Sequence, residues 1–79
     1  MRNERLKTSR LEAELNQTQL AEILGYKGKQ AVANWENGHS LPTLRVAMIL
    51  ADLFKKDVSY LFGLKVQGFH TKNNSKERI

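Results

Sequence analysis

Two short helix-period segments meet across a glycine-containing break in the middle of the chain. This constrains the fold more than any other feature. The first segment is QTQLAEILG (17–25), the break is YKGK (26–29), and the second segment is QAVANWENG (30–38). Asn16 is a good N-cap, and Gln19 three residues later completes a capping box, so a helix is predicted from about Gln17 to Leu24. Leu20, Ile23 and Leu24 make its predicted buried stripe, and Gly25 suits the left-handed residue that ends a helix. The next helix is predicted from about Lys29 to Asn37, closed by Gly38. Val32 and Trp35 face inward with Ala31 beside them, while Lys29, Gln30, Ala33 and Asn34 lie on the other side. Isolated helices of this length are marginal in water, so each must bury its apolar stripe on the other and on the rest of the domain. Two short helices across a tight turn form a helix-turn-helix, and Ala21 is small where the pair must approach closely.

The flanks follow the same period. A first helix is predicted from about Asn3 to Glu14, with Leu6, Arg10 and Ala13 on one face and Leu11 and Leu15 alongside. An arginine on an apolar stripe requires a partner. A fourth helix, about Leu44 to Phe54, follows Pro42 with Thr43 as N-cap. It is apolar nearly all round, so it is either a central core helix or one that packs on something else as well. A short fifth runs from about Ser59 to Phe62, and Gly63 ends it. The fold class is all-α with five helices over residues 1–63, followed by a basic polar tail, 64–79. Two readings of the tail stand side by side: a mobile segment, or a short strand at Leu64 to Gln67, where apolar and polar residues alternate.

Composition then narrows the function. Thirteen Lys and Arg against eight Asp and Glu leave a net charge of +5, which favours an anionic partner. Residues 2–10 carry +3, residues 64–79 another +3, and those between −1. Without cysteine there is no disulfide, thiolate zinc site or cysteine nucleophile. His39 and His70 lack helix-spaced partners for a metal, so neither metal nor cofactor is expected. No nucleophile, base and oxyanion arrangement is visible, so an enzyme is not expected. The charged N-terminus does not resemble a signal peptide, and no apolar run approaches a membrane span, so a cytoplasmic protein is expected. The outward set on the second segment has base-reading chemistry. Gln and Asn amides bond adenine N6 and N7, Lys reaches guanine O6 and N7, and Ala33 suits a thymine methyl.

The sequence resembles the Cro and lambda-repressor-like (Xre-type) helix-turn-helix family. The residues that carry this are Asn16-Gln17-x-x-Leu20-Ala21-x-x-Leu24-Gly25, then Trp35-Glu36-Asn37-Gly38, Pro42, Leu50-Ala51, and Val58-Ser59-Tyr60-Leu61-Phe62-Gly63. The resemblance implies a five-helix lambda-repressor-like domain that binds double-stranded DNA with its third helix in the major groove. It implies that Lys29, Gln30, Ala33 and Asn34 read bases, and that Asn16, Gln17, Lys27, His39 and Ser40 contact phosphate. It also pairs Arg10 with Glu36, which supplies the partner Arg10 requires. A bacterial or phage transcriptional regulator, in particular a repressor, is implied, and by analogy with phage repressors a mobile-element origin. Two half-sites read together call for a homodimer on an operator with two-fold symmetry. Met48, Ile49, Tyr60, Phe62 and Leu64 are the candidates for its patch. Two departures stand out. Ten residues separate Gly25 from Glu36 where the family has nine, and Trp35 is bulkier than the usual aliphatic residue. The extra residue either enlarges the turn around Tyr26-Lys27-Gly28 or lies within the third helix, in which case Lys27 and Lys29 exchange roles. The alternative reading is an antitoxin or antirepressor-type module that binds a protein partner through its tail, with DNA binding secondary.

Overall fold

The computed structural model describes residues 2–63, which form five α-helices: α1 Glu4–Glu12, α2 Gln17–Ile23, α3 Gln30–Asn37, α4 Leu44–Phe54 and α5 Val58–Phe62. The tail, its strand alternative and Leu64 lie outside the described residues. Short polar side chains start three of the helices by satisfying backbone N–H groups that have no partner inside the helix. Leu6 N–H donates to Asn3 Oδ1 at 3.0 Å and Val46 N–H to Thr43 Oγ1 at 3.3 Å. At α2 the capping box is complete: Gln19 N–H donates to Asn16 Oδ1 at 2.7 Å, and Asn16 N–H donates to Gln19 Oε1 at 2.8 Å.

The first four helices end on one device. A residue in the left-handed conformation follows the helix, and two backbone N–H groups fold back onto the last turn's carbonyls. After α2, Gly25 (φ +88°) donates to Glu22 O at 3.1 Å and Tyr26 to Ala21 O at 2.9 Å. After α3, Gly38 (φ +80°) donates to Trp35 O at 3.2 Å and His39 to Asn34 O at 2.9 Å. The same pairs of bonds recur after α1 and α4, where the left-handed residues are Glu14 (φ +62°) and Lys55 (φ +57°). Both carry a Cβ that disfavours this conformation by about 1–2 kcal/mol. This is why α1 stops at Glu12, short of the predicted Glu14: the chain turns left-handed there to place Leu15.

Every helix contributes to one core: Leu6 from α1, Leu20 and Ala21 from α2, Val32 and Trp35 from α3, Ala47, Leu50 and Phe54 from α4, Leu61 and Phe62 from α5. Burying each large apolar side chain is worth about 1.5–3 kcal/mol. The helices pair α1 with α3 and α5, α2 with α3, and α4 with α5. Asn3 joins three of them, since its N–H donates to Glu36 O at 2.8 Å and its Nδ2 to Leu61 O at 2.7 Å. Several inward assignments are corrected. Leu11 and Ala13 are exposed and Ser9 is buried instead, because α1 presents one narrow stripe through Leu6, Ser9 and Arg10. Ile23 is 53% exposed, because the face of α2 that meets α3 runs through Leu20 and Ala21. On α4 Ala47, Leu50 and Phe54 are buried and Leu53 is exposed, while Met48 and Ile49 are exposed as patch candidates must be.

Candidate nucleic-acid interface

A buried ion pair holds α3 against the helices before it. Arg10 Nε donates to Glu36 Oε2 at 2.7 Å and Arg10 Nη2 to Glu36 Oε1 at 3.2 Å. Arg10 Nη1 donates to Leu15 O at 2.8 Å, and Gln17 Nε2 donates to Glu36 Oε1 at 3.1 Å. The two charged side chains are 7% and 5% exposed. The pairing implied by the resemblance is present, and it meets the requirement that a buried charge be paired and hydrogen-bonded. Four segments meet here: α1, the α1–α2 turn, the first residue of α2 and α3. Gln17 therefore braces α3 through Glu36 and retains one N–H and its carbonyl oxygen.

With its inner face held by Val32, Trp35 and Glu36, α3 turns its polar side outward. Gln30 is exposed, Ala33 and Asn34 are half-buried, and Asn37 is exposed. Gln30 Nε2 donates to Asn34 Oδ1 at 3.0 Å, as residues four apart on one face can. Lys29 immediately precedes the helix and makes no side-chain capping bond, and Lys27 is exposed two residues earlier in the turn. The turn occupies 25–29, and α3 begins at Gln30, one residue after the predicted start at Lys29. Among the described residues neither lysine has a carboxylate within ion-pair range, and the first turn of α3 holds no acid. Lys29 thus stands where the helix dipole is already positive, an arrangement that costs stability unless an anion approaches. Beyond α3, His39 is exposed and Ser40 half-buried. Asn16 commits Oδ1 to its cap and keeps both Nδ2 hydrogens for an outside acceptor.

A family model described as helix-turn-helix matches residues 6–61, well over half of the chain. The chain belongs to the Cro/C1-type helix-turn-helix family. No match was found among curated proteins or among solved structures. Members of this family are DNA-binding regulators, and the family's helix-turn-helix corresponds to α2, the 25–29 turn and α3.

The patch residues of this helix-turn-helix domain separate into three kinds. Met48 and Ile49 stand on α4 at 58% and 44% exposure. Tyr60 is exposed too, but its ring already carries Arg5, whose guanidinium lies 4.7 Å from the centroid, and Lys56 at 5.2 Å. Phe62 is buried in the core and is withdrawn from the patch, since a side chain filling the core has little surface for a partner. In a helix of five residues periodicity cannot separate inward from outward positions, which is why Phe62 was assignable to either. Trp35 fills the core as its bulk suggests, and Tyr26 of the turn packs edge-on against it with centroids 5.7 Å apart. Asn3 is the structural residue missed by sequence reasoning, although a short polar residue ahead of a helical stripe is an N-cap signal. Among the described residues no helix is long and apolar enough to cross a membrane.

Proposed function

We propose that this protein is a sequence-specific transcriptional repressor that inserts α3 into the major groove of an operator. One observation carries the reading: the polar face of α3, with Gln30, Ala33 and Asn34, is turned outward while Glu36 on its inner side is clamped by Arg10 and Gln17. A recognition element needs side chains that reach base edges on a backbone that does not yield. Lys29, Gln30, Ala33 and Asn34 read bases. Asn16, Gln17, Lys27, His39 and Ser40 set the register on phosphates, which orient the protein without carrying sequence information. The uncompensated lysines ahead of α3 support this, because phosphate supplies the anion they lack.

A single α3 reads only a few base pairs, so the protein acts as a homodimer on an operator with two-fold symmetry. Met48 and Ile49 are the exposed apolar residues from which its patch is built, with Tyr60 at the rim. Selection of bound sequences from a random duplex pool, with light scattering of the complex, tests both parts. The expected outcome is one enriched motif with two inverted half-sites about one helical turn apart, bound by two chains. Enrichment of no motif would refute the reading, and a single protein partner recovered from lysate instead of DNA would point to the antitoxin-like alternative.

A further inference from the structure

We infer that Asn37–Gly38 is a self-modification site, where the end of α3 converts its own amide to a carboxylate once its last turn opens. The reaction uses only the chain and water. The Gly38 nitrogen, after losing its proton to hydroxide, bonds to Asn37 Cγ. The Cγ–Nδ2 bond breaks, and that nitrogen takes up a proton and leaves as ammonia. Water then opens the five-membered imide at either carbonyl, giving aspartate or its β-linked isomer. Nothing is oxidised or reduced: amide and water become acid and ammonia. Glycine obstructs this attack least, having no Cβ beside the nitrogen and the widest backbone freedom. Of the six asparagines in the chain, only Asn37 precedes a glycine.

The fold exposes the amide and restrains the nitrogen that attacks it. Asn37 is exposed, and its side chain makes no hydrogen bond among the described residues. Asn3 and Asn16, by contrast, cap helices, and Asn34 is bonded to Gln30. Gly38 N–H donates to Trp35 O at 3.2 Å and His39 N–H to Asn34 O at 2.9 Å. As the last residue of α3, Asn37 has a helical ψ of about −42°, which holds the Gly38 nitrogen away from Cγ. Closing the imide requires rotation about this ψ, which breaks both bonds. The two residues before Asn37 resist that opening: Trp35 fills the core, and Glu36 is held by Arg10 and Gln17. The ion pair that places α3 therefore also restrains the reaction.

Asn37 lies three residues beyond Asn34 and seven beyond Gln30, on the same face of α3. A carboxylate there repels the phosphates of a duplex and stands at a helix C-terminus, where negative charge is unfavourable. Conversion thus inactivates chains that have opened and spares those that keep the clamp. This consequence rests on the proposed role of α3, whereas the chemistry does not.

Peptide mapping of the full chain, held in mildly alkaline buffer, tests this by following aspartate and its isomer at position 37 with time. The chain unfolded in urea should convert about 100-fold or more faster than the folded protein, whose open fraction is small. Glu36→Leu should accelerate conversion without urea, and if it fails to fold its rate should match that of the unfolded chain. Asn37→Gln, which cannot close a five-membered imide, should form no product at this position. Absence of conversion in urea would refute the site. If urea accelerates conversion but Glu36→Leu, still folded by circular dichroism, does not, the restraint by the clamp is refuted. Asn37→Asp should weaken binding to duplex DNA by about tenfold or more at low salt, with the loss shrinking as salt rises. If the unaltered protein binds no DNA, the reading of α3 fails and the peptide map alone judges the modification. If it binds and Asn37→Asp binds equally well, the inactivating effect is refuted.

Discussion

Replacing Glu36 by leucine removes three hydrogen bonds at once: those from Arg10 Nε, Arg10 Nη2 and Gln17 Nε2. Arg10 is left 6% exposed with only Leu15 O as a partner. A buried charge stripped of its counter-ion costs about 3–5 kcal/mol. A chain of this length has a total stability of about 4–12 kcal/mol, so the single substitution removes a quarter or more of it. With a urea m-value of about 1 kcal/mol/M, the midpoint falls by about 3–5 M. Trp35 is the only tryptophan and sits in the core on the adjacent residue, so its fluorescence follows the transition. Arg10→Met should cost a similar amount for the reciprocal reason. The double variant Arg10→Met with Glu36→Leu should be more stable than either single one, because the desolvation cost of both charges disappears together. The loss should also vary little with salt, since buried pairs are weakly screened. Single variants costing under about 1 kcal/mol, or a double variant showing the sum of both losses, would refute the account of α3 as held by this pair.

Three further outcomes follow from the same geometry. Lys55→Gly removes a Cβ from a left-handed position and should stabilise by about 0.5–1 kcal/mol, raising Tm by several degrees in thermal melts; a fall in Tm would contradict the strain assigned there. DNA affinity measured by fluorescence anisotropy should fall with salt at a log–log slope of about −5 to −9, for about six to ten neutralised phosphates, and a slope near zero would remove the phosphate contacts from the proposal. Met48→Glu places a charge on the exposed face of α4. It should leave the melt unchanged within about 0.5 kcal/mol while shifting light scattering to the monomer, and an unaltered dimer would move the interface elsewhere.

The features legible in the sequence were those written in local chemistry. Asn16 and Gln19 stand three apart, and the capping box they form needs no tertiary partner. Gly25 and Gly38 could be placed as helix ends because left-handed residues are usually glycine, whereas Glu14 and Lys55 adopt the same conformation without that signature. Arg10 on an apolar stripe announced a buried partner by its own oddity, and the family resemblance pointed to Glu36.

By itself, then, the sequence determined the five helices, the helix-turn-helix at its centre and the family, because period, caps and glycine stops act over a few residues. Only the tertiary structure decided which candidate positions face inward: Leu20 and not Ile23 on α2, Ser9 and not Leu11 on α1, and Phe62 on α5. Those choices depend on where the neighbouring helix lies, and a helical stripe of two turns is compatible with more than one direction of approach.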